Sequence, residues 1–531
     1  MAIRDPFSTL IDSWDAVTED AARGGRDAGE AETVHELCAM VDRFCAAEVD
    51  SLAVDREGRL GRKILDGAGE LGLFGITIPT EHGGAGLSML ATTRVVAQLA
   101  RWDGSLATTV GLHSGLALAA LCEHGAPALR ARYLPDVAAG KRIASFAATE
   151  PEAGSDIASL RATATPKGGA LSLTGEKAYV TNGGFAGILT VLARTPGLGG
   201  GRADTSLLVV DPSWPGVQRA KEEHKMGLRG SSTITIAFDE VEVPMDHVIG
   251  EPGKGLESFQ RALWWGRTLL SAGCLGSAEG ALSRAVEHVK TRKQFGRTLS
   301  RFAMVRGHVA DMRARELAMQ SLLGAVGARH GRGGDVGWES SVCKLLCSDG
   351  AWEVIDTALQ LHGGAGYLEE TGIARRLRDC RVTRIFEGAN DVLRVHLGSS
   401  VLSWDRDALA ARGRLSTRVG PSLQALATVL DGEADAALAA IVEVARAAGF
   451  RLVERQLVLS RMADALAELY ALFASVARVE GELRAGKDAT VMAGRLALLT
   501  DRTLPRIRAN VQALRTPTDD AVEPVARVDL D

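Results

Sequence analysis

The chain is short of the features that usually give a function away. Its seven cysteines, Cys38, Cys45, Cys122, Cys274, Cys343, Cys347 and Cys380, form no CxxC pair, and most fall in apolar helical patterns. They are expected to be reduced thiols that pack as small hydrophobes inside a cell. No G-x-G-x-x-G follows a strand-like run and no G-x-x-x-x-G-K-[ST] occurs, which excludes the phosphate cradles of doubly wound and P-loop folds. The eleven histidines include no H-E-x-x-H and no Cys/His cluster, so no metal site is expected. A G-x-S-x-G nucleophile elbow is missing as well. Charge is nearly balanced, 61 Lys+Arg against 66 Asp+Glu for a net of -5, which argues against a general nucleic-acid binder. No apolar run unbroken by Arg, Glu or Asp reaches the length of a membrane span. Asp5, Asp12, Asp15, Glu19 and Asp20 are wrong for an Arg-rich, acid-poor transit peptide. A cytoplasmic protein, at most peripheral to a membrane, is the expectation.

What is present is length and patterned hydrophobicity. With 531 residues, 46% of them hydrophobic, the chain can build several domains and a deep buried site. From Glu32 to about Arg132, Leu37, Met40, Val41, Phe44 and Cys45 recur at helical spacing, and Leu112–Leu121 is rich in Ala and Leu. Between about Phe146 and Val248 the pattern turns β-like: Thr233–Phe238 alternates polar and apolar, and Leu207–Val210 is a short apolar run. Gly199–Gly201 reads as a flexible turn between strands. Helical periodicity returns from Gly255 to about Ser403, and more helices follow Trp404. In this last part Leu459, Met462, Ala463, Leu466, Tyr470, Phe473 and Ala477 mark one apolar face that must be buried. Arg495, Arg502, Arg506, Arg508 and Arg515 form a basic stretch, read as a solvated face in preference to a lipid contact.

The segment Arg384-Ile385-Phe386-Glu387-Gly388-Ala389-Asn390-Asp391 sets one carboxylate between an apolar run and a glycine. Removal of a weakly acidic C–H proton needs a carboxylate withdrawn from water, because desolvation raises its pKa toward the task. Glu387 is therefore the candidate base; the plainer reading makes it a cap on the helix that starts near Asn390. With no metal or nucleotide motif at hand, chemistry at Glu387 calls for an organic cofactor.

Five segments in one order decide between those readings. They are Ala148–Asp156 (ATEPEAGSD), Lys177–Gly184 (KAYVTNGG), Lys225–Ser231 (KMGLRGS) running into Phe238–Pro244, Arg292–Arg297 (RKQFGR), and Gln360–Gly364 through to Glu387-Gly388. Together, over about Glu70 to Leu397, they closely resemble the acyl-CoA dehydrogenase family of flavoproteins. The resemblance implies a mainly α fold with a central β domain and a fivefold division. Residues 1–30 are a polar segment, 31–145 an N-terminal helical domain, 146–250 a β-barrel-like middle domain, 251–403 a four-helix bundle and 404–531 an additional helical domain.

By the same resemblance the cofactor is FAD. Phe146, Ala148, Thr149, Tyr179 and Thr181 would meet the flavin, where donors are wanted at the edge on which negative charge accumulates, and Ser155 would lie near the FAD pyrophosphate and the coenzyme A chain. Tyr179 stands where the family usually carries a tryptophan, and Ala389 where it carries a threonine; both changes alter the flavin's surroundings. Arg292, Gln294 and Phe295, with Gln360, Gly363 and Gly364, would reach the adenosine diphosphate half of FAD in a neighbouring subunit, and Asp391 is a further cofactor contact. Ser155, Arg267, Phe386 and Gly388 would line the coenzyme A substrate. Glu387 would take the α-proton while the β-hydrogen leaves as hydride to the flavin. The backbone N–H of Glu387 and a ribityl hydroxyl would hold the thioester oxygen. Relatives that carry the base on another helix place it at the position of Gly266, and glycine there excludes that variant.

Phe386, the cluster Arg375-Arg376-Leu377-Arg378-Asp379 and the tail from Gln456 to Ala471 look most like the very-long-chain branch, which implies a homodimer and a long acyl substrate. Small residues around Gly111, Leu112 and Gly115 leave room for a long tunnel. The expected electron acceptor is an electron-transfer flavoprotein. An acyl-CoA oxidase using dioxygen and a chiefly structural respiratory-complex assembly partner are the alternatives.

Overall fold

The computed structural model describes residues 5–201, 204–405, 409, 412–488, 490–515 and 522. Part of the expected 404–531 helical domain, including residues 516–521 and 523–531, lies outside them. The described chain forms two compact units: residues 25–299 with 351–387, and residues up to 24 with 300–350 and from 388 onward. All seven cysteines are free.

The larger unit begins with helices Ala28–Glu48, Ser51–Glu57, Arg62–Glu70, Met89–Trp102 and Gly104–Leu112. Their starts follow from local chemistry. Asp27, Ser88 and Asp103 each accept a backbone N–H from the first turn of the helix they precede. A π turn, His113–Ala117, interrupts the helical run before Ala119–His124. The stretch 104–124 is long and apolar enough by composition to cross a membrane, contrary to the expectation that no such run exists, but 83% of its most apolar window is buried. It is a core element that the sequence pattern alone cannot tell from a span. Helix Met89–Trp102 packs on the long Gly255–Thr291 helix. Gly276 is obligatory at that crossing, since a Cβ there would fall 1.9 Å from the Ala97 carbonyl oxygen.

A sheet fills the middle of this unit: β1 (Ile143–Ala147), β2 (Thr163–Lys167), β3 (Ala170–Thr181), β4 (Ala186–Arg194), β5 (Thr205–Val210), β6 (Val217–Arg219), β7 (Thr233–Pro244) and β8 (Val248–Ile249). The pairing order is β6-β7-β3-β2-β4-β5-β8, with β1 parallel to β4. The alternation read in the sequence at Thr233–Phe238 buries Ile234, Ile236 and Phe238 in the core, and Leu207–Val210 is buried throughout. Gly199–Gly201 is a turn in which the amides of Gly199 and Gly201 both donate to Asp204 Oδ2 at 2.8 Å. In β3 the register slips between Lys177 and Val180. Tyr179, at φ 55°, is the displaced residue.

The smaller unit is helical. Its elements are Pro6–Asp12, Trp14–Arg23, Ala303–His330, residues 337–350 of the Gly337–His362 helix, Asn390–Ser399, Pro421–Ala448, Gln456–Arg484 and Thr490–Arg515. The first thirty residues correct an expectation: the polar segment is two helices whose Phe7, Leu10, Ile11, Trp14 and Val17 are fully buried. Five apolar residues at helical spacing among eleven are an amphipathic stripe, which overall polarity masks. Phe7 meets Phe473 at 5.6 Å and Tyr470 at 6.0 Å between ring centroids, and Trp338 meets Tyr470 at 5.4 Å, in edge-on arrangements. The apolar face Leu459–Ala477 is buried as expected. Most of the basic stretch is not free cation: Arg495, Arg502, Arg506 and Arg508 lie within 3.6 Å of Glu316, Asp311, Glu468 and Glu433.

Candidate active site

Helix Ile373–Arg381 ends in a 3-10 turn, Val382–Arg384, and the chain then delivers Phe386 and Glu387 to the wall of a cavity. The space along that wall amounts to about 720 Å³ with the open solvent at its mouth included. Gly104, Ala107, Thr108 and Gly111 form one wall; Gly266, Leu269, Gly273, Cys274 and Ser277 another; Thr181 of β3 joins Glu387 in lining it. From Gly266 to Ser277 the wall follows three turns of helix, about 16 Å at 1.5 Å per residue.

Glu387 adopts φ 57°, a left-handed conformation that costs a non-glycine residue on the order of 1 kcal/mol or more and is typical of functional positions. It does not cap the next helix, whose N-cap is Ala389 with no side-chain capping bond. Its carboxylate stands over Gly266: a Cβ on residue 266 would meet Glu387 Oε2 at 2.6 Å and Cδ at 3.1 Å. Arg267 Nε donates to the Glu387 carbonyl oxygen at 3.2 Å. Burial lowers the Arg267 pKa, and the Glu387 charge opposes that shift.

The flavin-edge candidates converge through β1 and β3. Phe146 is buried in β1 and stacks on Phe259 at 5.6 Å. The bulge in β3 turns the Ala178 amide out of the ladder to donate to the Thr149 carbonyl at 2.8 Å, which ties the Ala148–Ser155 loop to Tyr179 and Thr181. Tyr179 is 68% exposed. Two residues whose part the motifs do not reveal hold this loop: the buried Lys177 donates Nζ to the Ala148 carbonyl at 2.9 Å and to Glu150 Oε1 at 2.7 Å. Glu150 also accepts the amides of Arg161 and Ala162. Burial pulls Lys177 down to about 8, against the pull of Glu150. Glu150 sits below its ordinary value: burial pushes it up, but the Lys177 bond and the two amides prevail. A signal existed in the sequence, since Lys177 shares the inward parity of Leu171 and Leu173.

The arginine cluster is structural. Arg375 pairs with Asp379 at 2.8 Å and Asp103 at 3.4 Å, and Arg378 with Asp55 at 2.6 Å and Glu369 at 3.0 Å. Arg376 caps the last carbonyls of Met89–Trp102, including Ala100 at 3.2 Å. Asp379, on the cavity wall, is raised to about 6 by burial with Arg375 opposing.

Arg292, Gln294, Phe295, Gln360, Gly363 and Gly364 are all exposed and belong to one patch of the larger unit, because His288 and His362 stack with ring centroids 4.5 Å apart. Ser155 is exposed in its turn. Gly388, Ala389 and Asp391 fall in the smaller unit. There the buried Lys344 donates Nζ to the Gly388 carbonyl and to Asn390 Oδ1, both at 2.7 Å, and Asp391 lies 3.6 Å from Arg394. Lys344 gave no sign in the sequence beyond standing in an apolar helix.

Comparison with known proteins agrees with this arrangement. Family models for the acyl-CoA dehydrogenase N-terminal, middle and C-terminal domains match residues 31–141, 145–241 and 253–402. The mitochondrial very long-chain specific acyl-CoA dehydrogenase of Mus musculus is 32% identical over 495 residues, 86% of this chain and 76% of that one. An acyl-CoA dehydrogenase from Bacillus anthracis complexed with FAD superposes with a TM-score of 0.81 at 26% identity, covering 91% of this chain and 88% of that one. A chain in the structure of the electron transferring flavoprotein of Acidaminococcus fermentans gives a TM-score of 0.66 at 31% identity, covering 70% and 97%. Those matches span the helical, β and helical parts that carry Glu387, Gly266 and the Thr149–Thr181 edge, and the chain belongs to the acyl-CoA dehydrogenase family of FAD-dependent oxidoreductases.

Proposed function

We propose that the protein dehydrogenates long-chain acyl-CoA thioesters to trans-2-enoyl-CoAs, with Glu387 as the base that takes the α-proton. The observation that carries this reading is the shared cavity, in which Glu387, seated over Gly266, faces the same space as Thr181. The hydroxyls of Thr149 and Thr181, neighbouring amides and the exposed ring of Tyr179 fit the edge of a flavin. FAD, when bound, supplies the two-electron acceptor for the β-hydrogen. The protein's own share is to hold the base, exclude water and donate the Glu387 N–H to the thioester oxygen, while Arg267 fixes the carbonyl of the same residue. A cavity that follows three helical turns past Gly266 fits an extended acyl chain. Ser155 and Arg267 would meet the coenzyme A portion, as the family pattern implies.

The rest of the reading is a homodimer, in which the exposed Arg292–Phe295 and Gln360–Gly364 segments complete the neighbour's cofactor site, and electron delivery to an electron-transfer flavoprotein. The division at residues 30, 145, 250 and 403 and a cytoplasmic location, favoured by seven free thiols, belong to the same proposal. At most, the C-terminal helices touch a membrane surface. Anaerobic addition of palmitoyl-CoA, then short and branched thioesters, to FAD-loaded wild type and Glu387→Gln tests it by flavin absorbance. Bleaching in wild type alone supports the assignment; no bleaching with any thioester removes it, and peroxide formed in air redirects it to an oxidase.

A further inference from the structure

The Arg292–Phe295 and Gln360–Gly364 segments come from the ends of two different helices, far apart in sequence. What joins them is a pair of imidazoles. His288 lies in the last turn of Gly255–Thr291, and its carbonyl accepts the Arg292 amide at 2.8 Å. His362 closes Gly337–His362 immediately before Gly363-Gly364. The rings stack at 4.5 Å with an interplanar angle of 26°. His362 Nδ1 lies 2.7 Å from the Ala358 carbonyl, which can only accept, so Nδ1 carries the proton and the ring is fixed in rotation. Burial, then His362 and Arg292, keep His288 below its ordinary value, which favours the neutral ring that can stack closely.

The surface on either side of the stack is built for a ligand. Gly363, at φ 59°, and Gly364 have no heavy atom within 4 Å of where a Cβ would sit, so their backbone is bare. Opposite, Phe295 at φ 52° and Gly296 at φ 77° form the turn of the hairpin Lys293–Gln294 and Arg297–Thr298, with Phe295 91% exposed. An aromatic held in a strained turn and left in solvent is a feature that folding alone does not favour.

We propose that the His288–His362 stack sets the spacing between Arg292 and the Gly363-Gly364 backbone, so that the two segments act as one site for a dinucleotide diphosphate. The inference rests on the reading above, in which both segments meet the adenosine diphosphate half of FAD. His288 and His362 are positioning residues: they act through the segments they join. Ring shape and not charge is what matters, so a phenyl ring at 362 should serve.

The test is FAD titration of apoprotein by flavin fluorescence for wild type, His362→Ala, His362→Phe, His288→Ala and Arg292→Ala, with the melting temperature of each apoprotein as a control for folding. The expected result is affinity weakened about tenfold in both alanine variants at the stack, because the two segments are then free to move apart and must be ordered on binding. His362→Phe should bind within about twofold of wild type, and apoprotein melting should fall by no more than about 4 °C in the alanine variants, the loss of roughly one aromatic pair. Wild-type affinity in His362→Ala, with Arg292→Ala weakened, overturns the stack's role and leaves the cofactor patch standing. Wild-type affinity in Arg292→Ala removes the patch itself. His362→Phe as weak as His362→Ala overturns the spacing role in favour of direct imidazole contact.

Discussion

The Oε2 atom of Glu387 lies 2.6 Å from the point a β-carbon on residue 266 would occupy. The proposed base and the glycine are therefore one unit, and the side chain that residue 266 lacks would fill the space beside the carboxylate. Gly266→Ala should displace the carboxylate by about an ångström and lower the rate of flavin reduction on the order of a hundredfold, with little change in FAD content. Stopped-flow reduction by palmitoyl-CoA measures it. An unchanged rate would place the working carboxylate elsewhere.

Gly273 faces the same cavity one and a half to two turns further along the helix, about 10 Å from Gly266, and no heavy atom lies within 4 Å of its missing Cβ. A leucine there fills open space without forcing its neighbours. Gly273→Leu should keep turnover of butyryl-CoA and lower kcat/KM for palmitoyl-CoA by about tenfold or more, the consequence of blocking several methylene sites. Equal losses on both substrates would show that the acyl chain does not run this way.

His113 sits in the π turn with no exposure, Nε2 2.8 Å from the Phe74 carbonyl and Nδ1 accepting the Ala144 amide at 2.9 Å. Burial lowers its pKa from 6.5 to about 4. Between those values the unfolded chain binds a proton that the folded chain refuses, so this contribution to stability falls as pH falls, by about 3 kcal/mol across the window. Asp379 acts with the opposite sign, its carboxyl raised from 3.8 to about 6, so the folded state holds the extra proton there. Comparison of wild type with His113→Gln isolates the histidine: the variant is less stable at pH 7.5, and the gap narrows toward pH 4. A gap constant with pH would mean that His113 is not buried as the neutral ring.

Lys344 bonds to the Gly388 carbonyl and to Asn390. Lys344→Met removes the donor, leaving the half-buried Gly388 carbonyl unmet and Asn390 Oδ1 with the Ser348 hydroxyl at 3.3 Å, a loss of about 1–3 kcal/mol. Urea unfolding of the apoprotein checks this, and a loss under 1 kcal/mol would show that water replaces the amine.

Periodicity was enough to place the Gly255–Thr291 helix and β7, because each buries a repeating face, whereas the choice of Glu387 as candidate base needed five family-like segments beyond its own local string. The burial of Phe7 was not legible, since it depends on Trp338, Tyr470 and Phe473, hundreds of residues away. The same holds for the meeting of His288 with His362 and of Lys177 with Glu150: single residues carry no mark of a partner that only the fold supplies. The run 104–124 failed for a different reason. A helix surrounded by protein and one surrounded by lipid need the same side chains.

In a regular strand, residues three apart point to opposite faces, yet Lys177 and Val180 are both buried on the inner side of β3. The slip at Tyr179 is what reconciles them. Removing Tyr179 altogether would bring the two inward residues to an even spacing and remove one of the two register shifts in the ladder with β7, the other lying between Leu173 and Gly175. The barrel-like middle layer thus has one residue more than its own geometry asks for, and a shortened chain would make the tidier sheet. In the proposed function the extra residue is the one that presents its ring outward, and an engineer who optimised this protein for folding alone would delete it first.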